Sequence, residues 1–124
     1  MSSATPVLVA EDELLVALFL TDILEDYGYP IIGPCRSAAA ALETAAVEPP
    51  SLAIIDICLS GDADGVSLAR ALKERYRTSV IFLSGHMDTI RRPEVMAIQP
   101  SAILQKPCLP EQIKQALEGA LSSQ

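Results

Sequence analysis

Basic residues are scarce in this 124-residue sequence: nine Lys and Arg stand against sixteen Asp and Glu, a formal net charge of −7. Binding a polyanion takes clustered Lys and Arg to neutralise phosphates, so direct nucleic-acid binding is not the expected function. Long apolar runs are missing as well. None approaches the roughly 18–20 residues that span a bilayer, and Met1-Ser2-Ser3-Ala4-Thr5-Pro6 has neither the basic start nor the apolar stretch of a secretion signal. The expectation is a cytoplasmic protein without membrane contact. Cysteine is sparse: Cys35, Cys58 and Cys108 are widely spaced, with no second thiol or His at metal-ligand spacing. That pattern speaks for small, reduced, mostly buried thiols rather than a disulfide framework or a zinc site. Internal repeats and Pro/Gly/Ser linkers are lacking too. The sequence therefore predicts one domain over residues 1–124, with a core of about 6–121 and no effector domain. With half its residues apolar and a fifth charged, such a chain packs a core rather than staying disordered.

What is present is an alternation of short apolar runs with longer helical patterns. Val7-Leu8-Val9-Ala10 reads as a strand that stops at Glu11-Asp12-Glu13; helical spacing follows at Leu14, Leu15, Leu18, Phe19, Ile23 and Leu24, and Gly28 closes it. Ile31-Ile32-Gly33 is a weaker strand bracketed by Pro30 and Pro34. Ser37 is placed to cap a helix through Ala41, Leu42, Ala45 and Ala46, which Pro49-Pro50 cannot continue. Leu52-Ala53-Ile54-Ile55-Asp56 is apolar on both faces, as in a central parallel strand covered on each side. After the loop Ser60-Gly61-Asp62-Ala63-Asp64-Gly65 comes a helix with Val66, Leu68, Ala69 and Leu72 inward and Arg70, Lys73, Glu74 and Arg77 outward. Ser79–Ser84 is a fourth strand. Asp88 is one capping position for the next helix, and a start near Pro93 is the other. Ala102-Ile103-Leu104-Gln105 is a fifth strand, followed by Lys106-Pro107, and Pro110 opens a last helix through Ile113, Leu117 and Leu121.

Five strand–helix units with two-sided apolar strands predict an α/β fold: an open, doubly wound, five-stranded parallel sheet. Ligands of such sheets bind beyond the carboxyl ends of the strands. The polar residues at those ends are Glu11, Asp12, Asp56, Ser84 and Lys106. Carboxylates gathered in one crevice repel one another, so a cation belongs there. An oxygen-only ligand set favours a hard ion such as Mg2+, which keeps several waters and accepts a phosphoryl oxygen. Lys106 adds an ammonium and Ser84 a hydroxyl donor. Together these are the parts that stabilise a phosphoryl group in transfer, and a carboxylate can be the nucleophile, forming an aspartyl phosphate.

On these residues the sequence resembles a response-regulator receiver domain of two-component phosphorelay signalling, over about Val7 to Leu121. The acidic pair Glu11-Asp12 after the first strand, Asp56 after the third, Ser84-Gly85 after the fourth and Lys106-Pro107 after the fifth match that family's motif in order and context. The resemblance implies a flavodoxin-like (βα)5 three-layer sandwich like that of the chemotaxis regulators. It makes Asp56 the phosphoacceptor, charged from a phosphohistidine on a sensor histidine kinase or a histidine phosphotransfer protein. It implies Mg2+ held by Asp12, Asp56 and the backbone carbonyl of Cys58, with Glu11 acting mainly through water. Ser84 would reach for the phosphoryl oxygen, Lys106 would pair with Asp56 and then the phosphate, and the Lys106–Pro107 bond would be cis. Output would pass to a downstream protein target through the face of the fourth helix and fifth strand, a phosphorylation-dependent dimer being one form of it.

Some positions depart from the family pattern. Leu59-Ser60-Gly61-Asp62-Ala63-Asp64 stands where many relatives have a methionine-proline turn, and Ile103 occupies a position often filled by an aromatic switch residue. Transmission is therefore expected through the backbone of residues 85–96. His86, the only histidine, and the Cys58 side chain would flank the path of the hydrolysing water. Rival classes are weaker. An aspartyl-phosphate hydrolase of haloacid-dehalogenase type wants a second acid where Cys58 stands, and a flavodoxin-like cofactor carrier would find Glu11-Asp12-Glu13 repelling its phosphate. An unphosphorylated pseudo-receiver would not need the full charged set.

Overall fold

In the computed structural model, which describes residues 5–59, 64–85 and 92–123, the apolar runs form strands β1 Val7–Ala10, β2 Ile31–Cys35, β3 Leu52–Asp56, β4 Ser79–Ser84 and β5 Ala102–Gln105. All pairings are parallel, in the order β2-β1-β3-β4-β5. The helices between them are α1 Leu14–Asp26, α2 Ala38–Val47, α3 Asp64–Tyr76, α4 Arg92–Ala97 and α5 Pro110–Ser122.

Every residue of β1 and β3 is buried, and the alternation of side chains along each strand divides them between two cores. Leu8, Ala53, Ile55 and Phe82 face Ala41 and Ala45 of α2, Val66, Leu68 and Leu72 of α3, and Val95 of α4. Val7, Val9, Ile54 and Ile81 face Leu20, Ile23 and Leu24 of α1 and Ile113 and Leu117 of α5. The result is the three-layer doubly wound sandwich expected from the sequence. Burying one Leu or Ile on either face contributes about 1.5–3 kcal/mol before entropic costs.

Local chemistry sets the element ends. Ser37 caps α2 by accepting the Ala40 N–H at 3.1 Å. Gly28, at φ +84, turns the chain out of α1 in the left-handed region and donates to the Glu25 carbonyl. In β2, Gly33 and Pro34 together oppose the single Val9, a bulge. Gly33 sits there at φ +100, where an added Cβ would meet the Cys35 nitrogen at 2.6 Å. The strand continues past Pro34 because β2 is an edge strand, where a missing N–H is tolerated.

One sequence expectation needs revision. The apolar stripe Leu14, Leu15, Leu18 and Phe19 does not pack inward: all four are exposed, and α1 buries Ala17, Leu20, Ile23 and Leu24 instead. The helix carries two neighbouring apolar stripes, and the one with smaller residues fits the sheet. The α4 helix runs from Arg92, next to Pro93 where the sequence offers one start; the other capping position, Asp88, lies outside the described residues. The helix has six residues and is anchored by Val95, with Ile98 just beyond it.

The chain runs outward from β1 to β2, then crosses to β3 on the other side of β1. That reversal leaves a crevice between the carboxyl ends of β1 and β3.

Candidate functional site

Three strand ends feed the crevice. The bulge carries the sheet ladder one residue beyond β1, where Glu11 N–H donates to the Cys35 carbonyl at 3.0 Å. This draws the Glu11 side chain into the interior, 0% exposed, with half-buried Asp12 next to it. Asp56 ends β3 opposite Leu83 and is 4% exposed. Its Oδ1 accepts the Cys58 N–H at 3.1 Å, and Ile57 N–H donates to the Leu83 carbonyl at 3.0 Å, fixing the turn after the strand. Gly65, in the first turn of α3, packs against that turn: an added Cβ there would collide with the backbone carbonyl oxygens of Asp56 and Ile57. Lys106, whose N–H donates to the Ser84 carbonyl at 2.9 Å, follows β5.

The side chains converge on the Lys106 ammonium. It donates to Asp56 Oδ2 at 3.1 Å and to Glu13 Oε1 at 3.0 Å. Glu11 Oε1 lies 3.1 Å from the same nitrogen but without hydrogen-bond alignment, so this buried oxygen has ionic contact and no donor aimed at it. Its other oxygen accepts the Glu13 N–H at 3.0 Å. Burial is the largest influence on the Glu11 carboxyl and raises its pKa; the Glu13 N–H and Lys106 oppose it, the Asp56 charge adds to it, and the outcome is about 7. For Lys106 burial acts downward, but the bond to Glu13 and the charges of Asp56 and Glu11 outweigh it and hold the ammonium above its usual value.

Glu11, Asp12 and Asp56 each bring a carboxylate oxygen within 4.8 Å of the others. Among the described residues one ammonium faces this set, and one buried oxygen of it accepts no hydrogen bond. Hard oxygen donors at that spacing, still short of positive charge, fit a Mg2+-type cation.

Glu11, Asp12, Asp56 and Lys106 thus lie together at one end of the sheet. Ser84 stands beside Lys106, but its hydroxyl donates to the Gly85 carbonyl at 3.2 Å rather than toward Asp56. The Lys106–Pro107 peptide is cis. Cys35 and Cys108 are buried and Cys58 is half-buried, and among the described residues none of the three is joined in a disulfide. His86 and the loop residues Ser60–Ala63 lie outside the described residues. Glu13 is the member that sequence reading missed. It belongs to the acidic triplet, but its partner is 93 residues away and no local spacing announces the pair.

Beside the site, a groove of about 490 Å3 is lined by Glu13, Leu15, Phe19, Lys106, Pro107 and Cys108. Among the described residues no helix is long and apolar enough to cross a membrane.

Comparison with known proteins places this geometry in context. The chain is 30% identical over 122 residues to the phyllosphere-induced regulator PhyR of Methylorubrum extorquens, covering 95% of this chain and 44% of that protein. It is 29% identical over 118 residues to the transcriptional regulatory protein PdtaR of Mycobacterium tuberculosis, 94% of this chain and 56% of that one. The chain spans about half the length of these curated relatives. The signal receiver domain of a modulated diguanylate cyclase from Desulfovibrio desulfuricans superposes with a TM-score of 0.91 at 28% identity, covering 98% of this chain and 96% of that one. The sequence model of the response regulator receiver domain matches residues 7–118, and with the acidic crevice and its lysine at the expected strand ends, this chain belongs to that family.

Proposed function

We propose that the domain is a phosphoacceptor signalling module: Asp56 takes a phosphoryl group from a phosphohistidine on a sensor histidine kinase or histidine phosphotransfer protein, and the modified site switches binding of a downstream protein. The observation that carries this reading is the nearly buried Asp56 carboxylate, within 4.8 Å of two further acids and hydrogen-bonded to Lys106 at 3.1 Å. A carboxylate is a weak nucleophile, and here its neighbours position it and neutralise charge rather than activate it by proton removal.

In the step itself, an Asp56 carboxylate oxygen forms the new O–P bond as the N–P bond of the phosphohistidine breaks. The imidazole leaves with the bonding pair and takes a proton from solvent. Lys106 meets charge on the phosphoryl oxygens, and the Cys58 N–H steadies the carboxylate from the other side. Asp12, Asp56 and the Cys58 carbonyl would hold Mg2+, with Glu11 behind them through water. Bound there, the ion neutralises the carboxylates and the equatorial phosphoryl oxygens. Ser84 turns from the Gly85 carbonyl to a phosphoryl oxygen, a rotation of one side chain.

The donor protein approaches over the α1 face, because Leu14, Leu15, Leu18 and Phe19 are exposed there and two of them, Leu15 and Phe19, line the groove that reaches Lys106. Output leaves by α4 and β5, to a target protein or to a second copy in a phosphorylation-dependent dimer. Half-buried Ile103 packs in the core shared with Phe82 and Val95 and links the two elements.

Intact mass after incubation with acetyl phosphate and Mg2+ tests the reading. The expected result is an acid-labile gain of about 80 Da, one phosphoryl group, that Asp56→Asn abolishes. Equal labelling of Asp56→Asn contradicts it.

A further inference from the structure

An ammonium has three N–H donors and no lone pair, and Lys106 has three carboxylates around it. It donates to Glu13 Oε1 and Asp56 Oδ2, and Glu11 Oε1 lies 3.1 Å away. Once Asp56 carries the phosphoryl group it is no longer a carboxylate, so the acids that stay charged beside the ammonium are Glu11 and Glu13, and an arriving phosphoryl oxygen competes with them for it. Burial decides which gives way: the Glu11 side chain is 0% exposed, whereas that of Glu13 is 63% exposed. A carboxylate left behind in the interior loses its counter-charge and gains no water, but an exposed one is rehydrated as it lets go. Glu13 is also dispensable to its own helix. It stands at the N-cap of α1, where its side chain makes no capping hydrogen bond.

We propose that Glu13 is a positioning residue for the phosphoryl site: it holds one N–H of Lys106 while Asp56 is unmodified and surrenders it to the phosphoryl oxygen. The inference rests on Asp56 being the phosphoacceptor. Glu13 lines the apolar groove alongside Leu15 and Phe19, so its release places a hydrated, unpaired carboxylate at the groove's edge. The state of the buried site is thereby displayed on the α1 surface, beside the residues a donor protein would cover.

The test is a titration of the Mg2+-saturated protein with beryllofluoride, a phosphoryl mimic, combined with 15N NMR of the Lys106 ammonium. Glu13→Gln keeps the shape and removes the charge; Glu13→Ala removes both. Each variant tightens beryllofluoride binding about two- to fivefold, the range of an exposed ion pair. The Lys106 Nζ resonance shifts in the mimic-free variants and coincides with that of the parent protein once the mimic is bound. Unchanged or weaker mimic binding in both variants overturns the proposal, as does an Nζ resonance that differs between parent and variants in the bound state. Asp56→Asn separates the two readings. If it binds the mimic as well as the parent protein does, the phosphoacceptor assignment fails and the Glu13 proposal with it. If it loses the mimic while the Glu13 variants behave as the parent, the Glu13 proposal alone fails.

Discussion

Lys106 joins the crevice to the sheet by two contacts, its side chain to Asp56 and its backbone to Ser84. Replacing it with Ala is expected to leave the fold standing in Mg2+, which takes over the neutralising role, while uncoupling phosphorylation from movement of β5. Lys106→Arg should fail in the same way, because a planar fork does not replace a compact ammonium ringed by three acids. Amide shifts induced by beryllofluoride in β5 read this directly; shifts of parental size in either variant contradict it. Glu11 gives a second expectation at this scale. A carboxyl whose pKa rises from 4.5 to about 7 on folding binds its proton more tightly when folded, so without divalent ions stability falls as pH climbs through that window. Glu11→Gln should flatten this slope. Mg2+, which prefers the ionised carboxylate, should raise the melting temperature more at about pH 8 than at about pH 6. A Mg2+ effect independent of pH across that range is the contrary result.

At the scale of elements, the strands were legible because two-sided burial leaves an unbroken apolar run, and β3, β4 and β5 fall where their sequences place them. The α3 face was legible for a related reason: its charged and apolar positions separate cleanly. In α1 they do not. Periodicity alone favours its larger residues, and only packing shows that Ala17 and Leu20 face the sheet. The exposed stripe has a consequence. Leu15→Ala and Leu18→Ala should change stability by less than about 0.5 kcal/mol, yet weaken docking of a phosphodonor protein by about fivefold or more. Donor affinity that survives both substitutions removes α1 from the docking surface. Gly65 is the opposite case, a residue whose reason lies wholly in the fold. Gly65→Ala forces a methyl onto the backbone carbonyls of Asp56 and Ile57, and should cost about 1–3 kcal/mol and slow phosphorylation. Parental stability and labelling rate in Gly65→Ala argue that α3 does not hold the acceptor strand in place.

Across the whole molecule, two separate cores clamp one sheet, and the chain's reversal between β1 and β3 assembles acids from distant segments at a single end of it. That convergence made most of the site readable, since Glu11, Asp12, Asp56 and Lys106 each follow a recognisable strand. Glu13 was not readable, because its role arises from a contact across the fold. The surplus of acidic residues has a counterpart here in the cluster Glu11, Asp12 and Asp56, and on the proposed reading Mg2+ at tenfold its dissociation constant should stabilise the folded domain by about 1.4 kcal/mol.

The central claim, a metal-assisted phosphoacceptor at Asp56, is tested most directly by 31P NMR of the protein incubated with acetyl phosphate. A protein-bound acyl-phosphate resonance should appear in Mg2+, and be absent both in EDTA and in Asp56→Asn. The same resonance persisting in Asp56→Asn, or forming equally well in EDTA, would contradict the account.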